Sequence, residues 1–182
     1  MPKSLQILLL PLLLFISCGE LSEYENKQVE EALSDSLLST TESWDISMEV
    51  LEDEMLKMIL KGRYAATIKT ENRNVTKISG PVYIEMFNDQ GQPDTYISAD
   101  SAVHKPVVGQ FELFGNVFVR APGGKRLQTS YLKWNRFEDR VSTPEFLTIV
   151  TQTDSITAIG LDGDSDLTNY TLLQITGETV ID

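Results

Sequence analysis

The sequence predicts an all-β protein in which short antiparallel strands stack as a sandwich or roll. Two observations predict this fold class. Runs rich in strand-forming residues alternate with turn signals at intervals of about ten to fifteen residues, and no convincing long helical pattern lies between them. A faint two-strand repeat also recurs along the chain, and a unit of this kind buries its apolar face only by stacking on its neighbours.

The N-terminus predicts a lipoprotein signal peptide over residues 1–17. Lys3 supplies a positive start, and the apolar run 5–16 is shorter than the roughly 20 residues that a spanning helix needs. Residues 15–18 resemble a lipobox, with phenylalanine where leucine is usual, and Cys18 is the single cysteine of the chain. We therefore predict that Cys18 is acylated, which makes a durable anchor. The alternative is an ordinary cleavable signal with a stray cysteine nearby.

Residues 18–43 are predicted to be the acylated cysteine and a flexible tether, because the segment is polar and rich in Glu and Ser. The domain is predicted to span residues 44–182. Its first stretch is ambiguous: the apolar residues between Ile46 and Leu60 fit helical spacing, whereas those at its start also alternate as in a strand. In the second interpretation, residues 52–54 are a hairpin loop.

Four later strands are marked by their composition and by turns. They are predicted at 82–87, 111–120, 146–151 and 171–181, and turn signals follow the first two directly. The repeat aligns segments that begin at Ile97, Leu127 and Ile156, each about thirty residues after the last. A second strand closes each repeat unit, at 115–119, 146–149 and 177–181.

The charge of the chain limits its partners. It has 27 Asp and Glu against 15 Lys and Arg, a formal net charge of −12. This balance argues against nucleic acid as a partner and against electrostatic attraction to an anionic lipid surface. An anionic ligand would have to be held mainly by its apolar part.

The sequence offers no convincing catalytic, metal or cofactor site. His104 is the single histidine, and its neighbours predict a strand end at the surface, so a Ser-His-Asp triad would rest on it alone. Residues 162–166 begin like a calcium loop, but Leu167 and Leu173 stand where glycine and glutamate are required. We expect an exposed acidic turn there. A hydrolase that uses two carboxylates is a weak third hypothesis for function, since the carboxylates cannot be paired without a fold.

An apolar stripe is the remaining candidate site. In a strand, alternate residues share a face, so one stripe across stacked units can collect apolar side chains. The candidates for lining a lipid groove are Val82, Ile84, Val117, Val119, Leu147 and Ile149. The residues alone favour a packed core without ligand space over an open groove.

An ordered series of segments resembles the LptC family of lipopolysaccharide-export proteins, which is related to the LptA/OstA group. The resemblance runs from about Trp44 to Asp182. The segments that carry it are Ser98-Ala99-Asp100-Ser101-Ala102, Gly115-Asn116-Val117-Phe118-Val119, residues 127–134, Ser142-Thr143-Pro144 with 146–149, Gly160-Leu161, and residues 166–170.

The resemblance implies a single open, twisted β-jellyroll whose apolar interior shields the lipid A acyl chains of lipopolysaccharide. It implies as partners an inner-membrane Lpt ABC transporter and an LptA-like periplasmic bridge protein, and a strand pair over residues 44–62. It also implies the periplasmic face of the envelope and favours the inner membrane. The lipobox departs from the uncleaved transmembrane helix of many members. The competing hypothesis is an envelope scaffold that pairs β-strands with its partners and carries no lipid.

Overall fold

The computed structural model describes residues 39–180, and all nine strands of this part of the chain belong to one antiparallel sheet. The predicted signal peptide, Cys18 and residues 18–38 of the tether lie outside the described residues. The strand order in space is the order in the chain, from β1 to β9. The strands are β1 Ser39–Glu52, β2 Met55–Lys69, β3 Asn74–Phe87, β4 Pro93–Lys105, β5 Gln110–Arg120, β6 Arg126–Asn135, β7 Arg140–Val150, β8 Asp154–Asp164 and β9 Tyr170–Val180.

The all-β prediction is therefore confirmed. The ambiguous first stretch forms the β1–β2 hairpin, with its turn at Asp53 and Glu54. The two-strand repeat is also real, because its three segments lie in β4, β6 and β8 and their partner strands are β5, β7 and β9. Strand β1 begins at Ser39, ahead of the position from which the domain was expected to start.

Every strand pair from β2–β3 to β7–β8 has a register shift near its middle. Several of these shifts coincide with left-handed backbone, as at Gly80 (φ 82°) and Gly115 (φ 69°). Gly115 has little space for a side chain, since an added Cβ would lie 2.4 Å from Asp100 Oδ2. Bulges bend strands and increase their twist, so this column of shifts creases the sheet across all of its central strands.

The crease lets the sheet fold over on itself. Consecutive turns of an antiparallel meander alternate between the two ends of the sheet, so the β5–β6 and β8–β9 turns start from opposite ends. They nevertheless meet, because Lys125 Nζ donates a hydrogen bond to Leu167 O (2.8 Å). Arg136 in the β6–β7 turn likewise pairs with Glu52 at the end of β1. These two contacts join the opposite ends of the strands along the side of the folded sheet away from the crease, hereafter the mouth.

The inner face of the folded sheet is the hydrophobic core. Apolar side chains from strands β2 to β8, with Leu167 of the β8–β9 turn, form a single buried cluster. Residues of β1, β3, β8 and β9 pack at its margin. The outer strands β1 and β9 each have one hydrogen-bonded strand neighbour within residues 39–180, so the sheet is an open roll rather than a closed barrel.

Candidate functional site

A continuous apolar row crosses the inner face of the sheet from β1 to β8. Each member is the direct cross-strand partner of the next, and cross-strand partners lie on one face of the sheet. The row, hereafter the interior row, comprises Met48, Leu60, Ile84, Ile97, Val119, Leu127, Ile149 and Ile156. At the β9 edge its next partner is Glu178. With about 4.8 Å between neighbouring strands, nine strands span about 38 Å.

The repeat in the sequence generates this row. The residues that begin its three segments, Ile97, Leu127 and Ile156, occupy the same row on β4, β6 and β8. A repeat of two strands returns an equivalent residue to the same face and the same height in the sheet, so stacked units produce a continuous apolar track.

All six groove candidates from the sequence lie together on this inner face. Ile84, Val119 and Ile149 are members of the interior row. Val82, Val117 and Leu147 lie in the adjacent row, whose other members include Ala99, Thr129 and Ala158. All six side chains are buried in the core. Their shared face follows from the sheet register, whereas contact with lipid remains a prediction.

On the other side of the crease, the inner face carries a stack of rings. Cross-strand partners His104, Phe111 and Trp134 lie on β4, β5 and β6, with ring centroids 4.1 Å and 5.1 Å apart. His104 is half-buried rather than at the free surface that the sequence predicted. Burial, helped by the nearby Arg136 guanidinium, lowers the pKa of His104 to about 4, so the imidazole is neutral at pH 7.

A narrow void lies between the two halves of the folded sheet. It is lined by Met86, Ile97, Val119, Leu127, Leu132, Trp134, Val141, Ser165 and Leu167, and it is too narrow to hold a water molecule. The interior is thus packed in this state, as the residues alone had favoured.

Sequence reasoning missed Leu167. The segment 162–166 was expected to be an exposed acidic turn, and Asp162 and Asp166 are indeed exposed. However, Ser165 is buried and Leu167, 1% exposed, points into the core from a left-handed backbone conformation (φ 55°). A single leucine after an acidic turn belongs to no periodic pattern, so its burial could not be predicted. The sequence drew attention to Leu167 only because it stands where a calcium loop requires glycine.

The outer face differs from the inner face in polarity. Its corresponding cross-strand row mixes charged, polar and aromatic residues, namely Lys61, Tyr83, Ser98, Phe118, Gln128 and Thr148. A depression of about 420 Å³ lies there, beside Tyr83 and Phe118. Its lining is mostly apolar, with Lys61, Glu85 and Ser98 among the lining residues, and it is open to solvent, whereas the interior row lies largely in the buried core.

Both edge strands expose large apolar side chains. Trp44 on β1 is 65% exposed, and Leu173 and Ile175 on β9 are 71% and 59% exposed. Edge strands also present backbone N–H and C=O groups that pair readily with an added strand. Within residues 39–180, both edges thus combine unpaired backbone groups with exposed apolar side chains.

Residues 39–180 hold no group of three or more His, Cys, Asp or Glu side chains arranged to bind a metal ion. A helix of the length and hydrophobicity needed to cross a bilayer is also not found within this described range.

An open antiparallel sheet folded over a continuous apolar interior defines the class of β-jellyroll proteins. The family model described as lipopolysaccharide-assembly, LptC-related, matches residues 5–179, nearly the whole chain. The chain belongs to the LptC family. No curated protein matches the chain at a significant level.

Membership of the family gives the chain a role in lipopolysaccharide transport. The family is one of transport and scaffold proteins rather than enzymes, and it belongs to the periplasmic side of the cell envelope. Its partners are, in general, lipopolysaccharide and the other proteins of Lpt transport.

Proposed function

We propose that this protein is a membrane-anchored periplasmic carrier of lipopolysaccharide. It receives lipopolysaccharide from an inner-membrane Lpt ABC transporter and passes it to an LptA-like periplasmic bridge protein. The lipid A acyl chains travel along the inner face of the jellyroll, while the sugars and phosphates stay outside its mouth. The observation that carries the proposal is the interior row, which runs without a polar interruption from Met48 to Ile156.

The net charge of the chain supports the placement of the acyl chains inside the jellyroll and of the sugars and phosphates outside it. The chain is strongly acidic, with a formal net charge of −12, so it gains little from the anionic headgroup of lipopolysaccharide. Burial of aliphatic surface contributes about 25 cal/mol per Å², which makes the acyl chains the main source of affinity. A ligand held by its chains is also released when the groove closes over its own apolar side chains.

The acyl chains enter only if the mouth opens. The Arg136–Glu52 pair is partly exposed, and exposed ion pairs contribute only about 0–1 kcal/mol. The Lys125 hydrogen bond to Leu167 O is the second contact at the mouth. Both contacts are made by the side chain of a turn residue, Lys125 or Arg136, and neither is a bond of the strand ladder, so the sheet can open without breaking that ladder.

The two edges give the transport a direction. We propose that the transporter meets the β1 edge near Trp44 and that the bridge protein meets the β9 edge, each by addition of a strand to the sheet. The interior row begins on the β1 edge at Met48, so strand addition there would continue the apolar track into the partner. At the other end the row stops at Ile156, one strand short of the β9 edge, where Glu178 is the next cross-strand residue.

The anchor completes the proposal. Residues 1–17 are the signal peptide, acylated Cys18 and the residues up to 38 hold the domain at the membrane, and the transport domain begins with β1 at Ser39. We place the anchor in the inner membrane, on the same side as the transporter. The protein catalyses no reaction in this account, since the transfer needs only apolar surface and partner edges.

Metabolic labelling tests the anchor. A fatty-acid probe is expected to label the wild-type protein through Cys18, and Cys18→Ala is expected to abolish the label because no other cysteine exists in the chain. Ser17→Ala, which leaves a small residue before the cysteine, is the control and keeps the label. A labelled Cys18→Ala protein would show that the anchor is elsewhere.

Lipid extraction separates the carrier from the scaffold alternative. The full-length protein is expressed in its own envelope, purified in mild detergent and analysed by native mass spectrometry. A co-purifying acyl-rich glycolipid is expected for a carrier. A lipid-free protein that still binds both partners is the result that the scaffold hypothesis predicts.

A further inference from the structure

Trp134 carries a buried hydrogen-bond donor without a partner. The side chain is 98% removed from solvent, and no acceptor among the described residues lies within hydrogen-bond distance of its Nε1 atom. Buried polar groups are paired in the great majority of cases, so a single unpaired donor in an otherwise apolar core needs an explanation. An indole N–H can only donate, and its partner must therefore be an acceptor.

The unpaired donor belongs to a residue that lines the void between the two halves of the sheet. The other lining groups are apolar, except for the Ser165 hydroxyl, which donates to Asp139 Oδ1. No lysine, arginine or histidine lines this void. A phosphate or a carboxylate would therefore be poorly compensated there, whereas a neutral carbonyl with an aliphatic tail would match both the donor and the apolar lining.

Leu167 fills part of the same space from the β8–β9 turn. Its left-handed backbone conformation is unfavourable for a leucine, so the turn is held in place by its contacts rather than by local preference. Lys125 Nζ binds Leu167 O at 2.8 Å, and Leu167 N donates to Asp164 O at 3.1 Å. A side chain inserted from a surface turn can be withdrawn without disturbing the strand ladder.

We propose that Trp134 Nε1 is the polar anchor of an acyl-lipid subsite and that Leu167 is the plug that fills this subsite in the empty protein. The ligand group is the ester or amide carbonyl at the head of an aliphatic chain. Withdrawal of Leu167 makes room for the first carbons of the chain against Met86, Ile97 and Leu127, and the carbonyl accepts the indole hydrogen bond. The proposal rests on the carrier function and adds the residue that fixes where the chain begins.

A matched pair of lipids tests the anchor. The probes are 1-lauroylglycerol, which has an ester carbonyl, and 1-O-dodecylglycerol, an ether with a chain of equal length and no carbonyl. Wild-type protein is expected to bind the ester more tightly, by roughly two- to tenfold, the effect of one net hydrogen bond. Trp134→Phe, which keeps an aromatic ring and removes the N–H, is expected to bind both probes with the affinity that wild type shows for the ether.

NMR gives a direct readout of the same bond. The chain has two tryptophans, so its ¹H–¹⁵N spectrum contains two indole signals, and the signal missing from Trp134→Phe is that of Trp134. This signal is expected to move downfield on addition of the ester and much less with the ether. The Trp44 signal, from an exposed ring on β1, is the internal reference.

Substitution of Leu167 tests the plug. Leu167→Gly removes the side chain and suits the left-handed backbone, so it is expected to raise the affinity for both probes several-fold. Val107→Gly, at an exposed aliphatic residue of the turn between β4 and β5, is the matched control and should leave affinity unchanged. A Leu167→Gly protein with unchanged or lower affinity, while folded by circular dichroism, would overturn the plug.

The outcomes separate this inference from the carrier function. If ester and ether bind wild type equally and Trp134→Phe changes neither, the anchor is wrong while the carrier stands. If neither the probes nor lipopolysaccharide binds wild type or Leu167→Gly, the carrier function fails and the inference fails with it.

Discussion

Leu127 is the residue at which the packing of the interior can be tested most severely. It lies on β6 in the interior row, between Val119 and Ile149, and its side chain is 0% exposed. Leu127→Ala removes its outer carbons from a fully packed position. Substitutions of this kind cost about 2–5 kcal/mol, and the cost rises with the volume of the cavity that remains. Because Leu127 already borders a void, we expect a loss of about 4 kcal/mol.

Urea denaturation followed by circular dichroism measures this loss. A domain with a total stability of about 5–15 kcal/mol should show a clear fall in the urea midpoint, and a melting temperature lower by about 10 °C. Leu173→Ala removes the same atoms from an exposed site and is expected to change stability by less than about 0.5 kcal/mol. Equal midpoints for the two variants would refute the packed interior, because they would mean that Leu127 is in contact with solvent.

Three further predictions concern the crease, the histidine and the β9 edge. Gly115→Ala and Gly91→Ala both place a side chain at a positive φ, but only the side chain at position 115 meets a neighbour, Asp100. We therefore expect Gly115→Ala to destabilise the fold by about 1–3 kcal/mol more than Gly91→Ala in thermal melts. Equal losses of stability would contradict the crowding at the crease. Burial lowers the pKa of His104 to about 4, and NMR titration of this single imidazole should show that value, whereas a pKa near 6.5 would contradict the burial. Because the pKa in the unfolded chain is near 6.5, the unfolded chain takes up a proton first as the pH falls, so wild type should lose stability between pH 6.5 and 4. His104→Phe should lack this loss. Deletion of residues 174–182 should abolish co-purification of the bridge protein and preserve that of the transporter, and the reverse result would mean that the polarity of the edges is opposite.

The fold follows from the sequence wherever a pattern is periodic. Turn signals and strand formers predict β3, β5, β7 and β9, and the repeat predicts that Ile97, Leu127 and Ile156 are equivalent. Alternation also predicts that Val117 and Val119 share a buried face. The ambiguous stretch before Leu60 required the family resemblance, because its apolar residues fit both helical and strand spacing.

No periodic pattern in the sequence predicts that the sheet folds over on itself. It depends on a register shift in each central strand pair, and single glycines such as Gly80 and Gly115 reveal only some of them. Leu167 and Trp134 line the same void because turns from opposite ends of the sheet come together, which is a long-range consequence of the crease. Sequence spacing describes neighbours along a strand and says nothing of contacts made across the fold.

Site-specific photo-crosslinking to lipopolysaccharide in living cells tests the carrier most directly. Met48 and Ile156 are the partly buried ends of the interior row, so each can hold a photoreactive residue without filling the packed core. Glu49 and Thr157 are their neighbours along the same strands, with side chains that point to the opposite face. We expect lipopolysaccharide adducts at Met48 and Ile156 and none at Glu49 and Thr157. Adducts of equal yield on both faces, or none at either end of the row, would contradict transport through the interior.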